Sequence, residues 1–318
     1  MKKILLAVSI LTLVFSCSKE ENTNPENSQA NTLAKERHCA SHDVLEMQLK
    51  EDPGFAQKIA DIESFTENAI LQGKAANMGT ITIPVVVNVL YRTSSENISQ
   101  SQIQSQIDAL NKDFNAANND FNQVPAIFSG VKANVGVTFV LDAVKRKQTS
   151  KSSWGTRDAM KKTKRGGINP TSPNTKLNIW VCTIGGGILG YAQFPGGSSS
   201  TDGVVIDSRY FGTTGTATAP FNKGRTATHE VGHWMNLRHI WGDTNCGNDF
   251  VIDTPTHNTA NYGCPSYPHY STCSGNPVEM TMNYMDYTDD ACMYMFSEGQ
   301  KNRMLAVFAP GGPRASFN

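Results

Sequence analysis

The sequence predicts an α+β fold: a twisted mixed sheet, backed by one amphipathic helix and closed by a histidine-bearing helix, followed by an irregular, cysteine-rich half. Three observations predict it. Ile81 to Tyr91 is a β-branched run, and Ser99 to Asn115 behind it repeats Ile103, Ile107, Leu110 and Phe114 at helical spacing, so a strand leads into a helix that packs under a sheet. Short apolar runs recur near 135–144, 177–184, 188–194 and 203–207, each of strand length. After the histidine-bearing segment come Cys246, Cys264, Cys273 and Cys292, among Gly, Asn, Thr and Pro. Four cysteines allow three pairings.

The elements follow in chain order. Met1-Lys2-Lys3 is basic, Ile4 to Phe15 is apolar but short for a membrane span, and Ser16-Cys17 ends it, the pattern of an export signal over residues 1–16. A small residue followed by Cys resembles a bacterial lipoprotein signal, which implies lipidation of Cys17. Ser18-Lys19-Glu20-Glu21 resembles the charged tag that sends such lipoproteins to the outer face of the outer membrane; plain secretion is the other reading. Residues 17–33, rich in Asn, Glu, Ser and Pro, cannot bury enough apolar surface to pack and are expected to form a flexible tether. Residues 34–79 read as a small helical segment with Leu45, Leu49, Ile59, Ile62, Phe65 and Ile70 as apolar positions, headed by Arg37-His38-Cys39-Ala40 and closing on the small-residue stretch Gly73 to Gly79.

The rest, 80–318, is long enough for one full catalytic domain. Pro84 must sit where the first strand needs no amide donor. Lys145 to Lys176 carries ten basic residues and reads as solvated loop surface, while Cys182, in an apolar strand, reads as a buried free thiol. Gly185-Gly186-Gly187 is no phosphate loop, since no Gly-Lys-Ser/Thr follows it. The histidine-bearing helix spans about Thr226 to Asn236. A final helix starts at a capping box of Ser297 and Gln300 and buries Met304, Leu305 and Phe308. Lys plus Arg and Asp plus Glu number 28 each, so no global charge points to nucleic acid.

The chemistry concentrates in His229-Glu230-Val231-Gly232-His233, with His239 six residues on. Residues four apart share a helix face, so His229 and His233 can aim both imidazoles at one ion with Glu230 beside it. Three neutral imidazoles fill three positions of a tetrahedral Zn²⁺ and leave the fourth for water, which separates a catalytic from a closed structural site. A carboxylate in reach of that water takes its proton and later returns it to a leaving amine. Glu230 is that carboxylate.

This spacing resembles the long zinc signature of the metzincin metallopeptidases, and its context resembles the pappalysin family, especially its bacterial members, over about Thr80 to Asn318. Most metzincins place Gly where this chain has Asn236, because the helix must stop and turn to bring back the third His; Asn is the non-glycine residue best suited to positive φ. Asn283 to Asp290 resembles the family's Met-turn. Read without the family, Met280, Met282, Met285, Met293 and Met295 are adaptable core filler. The resemblance implies that Met285 packs under the ion and that Tyr287 can stabilise the oxyanion of the tetrahedral intermediate.

The resemblance also implies a metzincin-type zincin with an upper sheet subdomain and a lower one stapled by Cys246–Cys273 and Cys264–Cys292. It implies that Cys39 caps zinc as a thiolate in a latent zymogen, and that Asp249, the Ile252 carbonyl and Thr254 bind structural Ca²⁺. The edge strand through Gly190, Tyr191 and Ala192 would pair with an extended substrate, and Asp290 would floor the pocket for the residue after the scissile bond, favouring Arg or Lys. Expected partners are polypeptide substrates, with membrane contact only through the N-terminal lipid. A self-cut near Lys74 would join that specificity to an exposed segment. The rival reading, a catalytically idle surface adhesin on the same scaffold, calls for loss of Glu230 or a zinc histidine, and all four are present.

Overall fold

The structure, a computed structural model, describes residues 34–75 and 78–317; the export signal, Cys17 and the tether lie outside the described residues. Five strands form one sheet: β1 (Ile81–Tyr91), β2 (Val137–Gln148), β3 (Leu177–Cys182), β4 (Gly190–Ala192) and β5 (Val204–Asp207), in the order β2-β1-β3-β5-β4. β4 pairs antiparallel with β5 and the other pairings are parallel. β3 and β5 are buried throughout, which is why they read as continuous apolar runs rather than alternating ones. Pro84 stands one residue ahead of the β1–β3 ladder, which begins at Val85, and beside a register shift with β2 between Val85 and Val86, where a missing N–H is tolerated.

Two helices lie against the sheet. α3 (Gln100–Phe114) starts at Ser99, whose side chain accepts from Gln102 N–H, and buries Ile103, Ile107, Leu110 and Phe114. α4 (Arg225–Trp234) is buried at every residue and packs against α3, β4 and β5. Ahead of the sheet, α1 (Ser41–Glu51) and α2 (Phe55–Leu71) divide the N-terminal helical segment. The lower half is irregular until α5 (Glu298–Ala306), whose capping box of Ser297 and Gln300 forms in full. Both expected disulfides, Cys246–Cys273 and Cys264–Cys292, are bonded. Cys182 is a buried free thiol.

Two expectations need correction. The strand expected over 188–194 shrinks to Gly190–Ala192: the Gln193 N–H still reaches the Gly203 carbonyl in register, while its side chain ties the turn that follows through Ser198 and Thr201. The basic run is not wholly solvated either. Lys161 is buried, its ammonium on Asp158 at 2.9 Å and on the Thr201 carbonyl at 2.8 Å. Composition marks a charged loop; it does not reveal which lysine finds a carboxylate underneath.

Candidate active site

α4 and the turn after it bring the three histidines together. Asn236 takes φ 75°, and Leu237 N–H returns to the Gly232 carbonyl, so the helix ends in the left-handed turn that swings His239 back. His233 Nε2 then lies 3.1 Å from both His229 Nε2 and His239 Nε2. Each Nδ1 meets an acceptor: the Tyr284 carbonyl for His229, the Leu237 carbonyl for His233 and the Asp243 carboxylate for His239. With the protons on Nδ1, three Nε2 lone pairs converge on one point, an arrangement that repels itself unless a cation sits among them. Burial holds His229 and His233 well below the ordinary imidazole range, so both are neutral ligands. This donor set fits Zn²⁺, and His229, His233 and His239 are the residues to hold it.

The floor is fitted closely. A Cβ on Gly232 would stand 2.6 Å from Met285 Sδ, so the Met-turn requires glycine at that position of the helix. Met285 is itself set by Asn283, whose side-chain oxygen accepts its N–H and whose amide pairs with Gln300.

The N-terminal segment occupies the cleft. His38 and Ala40 bond the backbone of Leu189 and Gly190, and Cys39 pairs parallel with Gly190, so the free edge of β4 is taken. Cys39 Sγ joins the three histidines in one group with all ligating atoms within 4.8 Å. It lies 3.2 Å from Glu230 Oε2. Without a cation, burial and the Glu230 carboxylate push the Cys39 thiol well up; a thiolate at this place needs a positive charge beside it. Ser41 Oγ donates to Glu230 Oε2 at 2.7 Å and accepts from Ala192 N–H at 2.8 Å. Tyr287 hydroxyl donates to the Cys39 carbonyl at 3.0 Å and accepts its N–H at 3.3 Å. Burial pushes Glu230 up to about 7.

Beside this centre Arg37 is buried, placing Nη2 2.6 Å from Asp290 Oδ1, Nε 3.2 Å from the Thr288 carbonyl and Nη1 3.3 Å from Thr226 Oγ1, with its guanidinium over Phe221. Asp290 Oδ2 is held by the N–H groups of Lys223 and Arg225, which leaves Oδ1 for Arg37. Both partners of this pair are essentially unexposed.

The remaining expected residues are placed as follows. The edge contacts come from Gly190 and Ala192, whereas Tyr191 pairs with Val205 of β5 and its side chain is buried with its hydroxyl on Asp158. Thr254 Oγ1 donates to Asp249 and meets the Val251 carbonyl at 2.9 Å, and Ile252 is fully exposed. Burial pushes Asp249 up to about 7. Lys74 is exposed but its N–H is bonded to the Ala69 carbonyl in the turn that ends α2.

Residues 177–309 match the peptidase family M43, described as pregnancy-associated plasma protein-A. The extracellular metalloprotease of Arthroderma benhamiae is 34% identical over 233 residues, spanning 70% of this chain and 76% of that protein. The chain belongs to the pappalysin family. A second relative, the extracellular metalloprotease of Pyricularia oryzae, is 34% identical over 270 residues, 78% of this chain and 84% of that protein. Among solved structures, mature mirolysin of Tannerella forsythia in complex with a cleaved peptide is 44% identical and superposes with a TM-score of 0.73 over 76% of this chain and 96% of that one. A promirolysin mutant of the same organism, 41% identical, gives 0.81 over 88% and 97%. The likeness to the precursor extends over more of this pappalysin than the likeness to the mature form.

As a pappalysin the chain is a zinc metalloendopeptidase acting on polypeptides. Sequence reasoning missed Ser41, Arg37 as pocket occupant, Asp243 as partner of His239, and Gly232. Asp243 follows its ligand by four residues, and Arg37 could have been matched to the acidic pocket expected at Asp290; Ser41 left no local signal.

Proposed function

We propose that this pappalysin is an exported, lipid-anchored endopeptidase that cuts before Arg or Lys and is made as a zymogen latched by Cys39. The observation that carries the specificity is Arg37: a guanidinium of the chain itself fills the pocket, matched by one carboxylate, one hydroxyl, one carbonyl and one aromatic face. A buried carboxylate left without such a partner is destabilised by about 3–5 kcal/mol, so a substrate bringing a cation is favoured over an apolar one.

When bound, zinc polarises the scissile carbonyl and acidifies the attacking water. The chain supplies the rest. The β4 edge holds the substrate backbone extended, Glu230 takes the proton of the water and delivers it to the leaving amine, and Tyr287, released from Cys39, donates to the oxyanion. In the latent chain each of these groups is engaged by Cys39, Ala40 or Ser41. Removal of the N-terminal helical segment by a cut at or near Lys74 would free them all. The N–H of Lys74 is tied to Ala69, so the cut there needs the last turn of α2 to unwind first. The names of the curated relatives support export; lipidation of Cys17 rests on the signal pattern alone. Structural Ca²⁺ at Asp249 and Thr254 is supported by a buried carboxylate meeting a hydroxyl and a carbonyl, oxygen donors that suit Ca²⁺.

The test is a peptide library digested by the matured enzyme and scored on both sides of each cut, with the enzyme's own N-terminus sequenced. Cuts before Arg and Lys and a mature N-terminus near residues 74–80 are expected. Cuts indifferent to basic residues refute the pocket; a distant N-terminus refutes the maturation site alone.

A further inference from the structure

The contacts that close the catalytic centre all come from the stretch Arg37 to Ser41, yet the 17 residues of α2 are seated on a separate surface. That seat is shaped for a helix. Phe55 packs with Phe194, and Gly196, at φ 95°, admits Ile62 so closely that a Cβ on the glycine would stand 2.7 Å from Ile62 Cδ1. Thr66 Oγ1 accepts from Asn236 Nδ2 at 3.3 Å. Positions 55, 62, 66 and 69 fall on one face of the helix.

Charge marks the rim. Glu63 places its two oxygens 2.6 and 2.5 Å from Arg303 Nη2, with Arg238 Nη2 at 3.8 Å. Both arginine side chains are largely buried, 4% and 14% exposed, and lie over Phe250 and Phe194 respectively. Between the last turns of α2, at Ile70 and Leu71, and the loop of Phe250 and Ile252 lies an apolar cleft of about 730 Å³. On the seat's own side of that cleft, Phe250 and Ile252 stay exposed even with α2 in place.

We propose that in the enzyme that has shed its prosegment this seat is an exosite for protein substrates, taking an amphipathic helix that carries a carboxylate at the position of Glu63. The proposal rests on the maturation reading above. Departure of α2 takes away the carboxylate that both guanidiniums meet, and a replacement carboxylate is favoured there. Anchors three, four and seven residues apart are what a groove needs to read a helix, and uncovered apolar surface beside it is the usual mark of a contact site. The seat adjoins the Asn236 turn that leads to His239, so a helix bound there holds its substrate next to the catalytic cleft.

The test uses the peptide Phe55–Leu71, which lacks Arg37, Cys39 and Ser41, added to enzyme matured from the full-length chain and sequenced at its N-terminus. Fluorescence anisotropy should show saturable binding, weakened about tenfold or more by Glu63→Lys or Ile62→Asp in the peptide. The peptide should slow cleavage of a protein substrate bearing an acidic amphipathic helix and leave hydrolysis of a short peptide unchanged. Absence of binding at millimolar peptide, or binding indifferent to Glu63→Lys, overturns the exosite while maturation stands. Inhibition of the short peptide places the probe in the catalytic cleft and overturns it as well. An enzyme whose active form retains α2 overturns the maturation reading and with it the vacancy the exosite requires.

Discussion

The roles proposed for Glu230, moving the proton, and for Asp290, choosing the substrate, separate by mutation. Glu230→Ala keeps His229, His233 and His239 and with them zinc, so metal content should stay at wild-type level while kcat/KM falls by about 10²–10⁴-fold. Metal analysis beside casein hydrolysis checks it; loss of zinc in step with activity would mean that the residue holds the site together instead. Asp290→Ser removes the carboxylate that Arg37 meets at 2.6 Å and should bring hydrolysis before Arg down to the level of hydrolysis before Leu, measured with a matched pair of peptides. A retained preference for Arg would move the specificity to Thr226, Thr288 and Phe221.

At the scale of elements, Asp113 joins three of them. From α3 its carboxylate accepts from Thr228 Oγ1 on α4 at 2.7 Å and from the Tyr284 hydroxyl at 2.9 Å, and the Tyr284 carbonyl in turn holds His229. Burial, only partly offset by Arg225, pushes Asp113 up to about 6. A carboxylate raised in the folded state contributes stability that is fully present below its unfolded pKa near 4 and is lost as pH rises through the folded value. Asp113→Asn should therefore cost most at acid pH, with a penalty shrinking by about 2–3 kcal/mol between pH 4 and pH 7 in denaturation curves. A penalty that grows with pH would mean that Arg225 outweighs burial. Asp253 plays a similar joining part below: it accepts from Ser297 Oγ and Gly299 N–H and so pins the loop of Asp249 to the start of α5. Calcium removal at constant zinc should then lower the melting temperature, by the equivalent of about 2.7 kcal/mol if calcium had been present at a hundredfold its Kd. Identical melts with and without calcium would take Asp249 and Thr254 out of any metal site.

Over the whole molecule, what the sequence disclosed was what lies close together in it. The zinc motif, the turn at Asn236, the amphipathic face of α3 and the capping box of α5 are local patterns, and each formed where spacing or cap chemistry placed it. Ser41 meets Glu230 across 189 residues and Arg37 meets Asp290 across 253; such partnerships leave no period, and only the fold brings them together. Short β4 was overread because its apolar flanks, Leu189 and Phe194, are buried by tertiary packing outside the ladder. Both disulfides followed from family likeness and not from spacing. Latency gathers these distant contacts into one claim: the segment from Arg37 to Ser41 shuts the enzyme by putting the Cys39 thiolate on the metal. The most direct measurement is the absorption spectrum of the cobalt-substituted full-length chain carrying Glu230→Ala, which prevents self-processing. The account predicts a thiolate-to-cobalt charge-transfer band in the near ultraviolet that vanishes with Cys39→Ser. An unchanged spectrum in the Cys39→Ser chain would show that Cys39 is not a ligand and that the segment inhibits by cover alone.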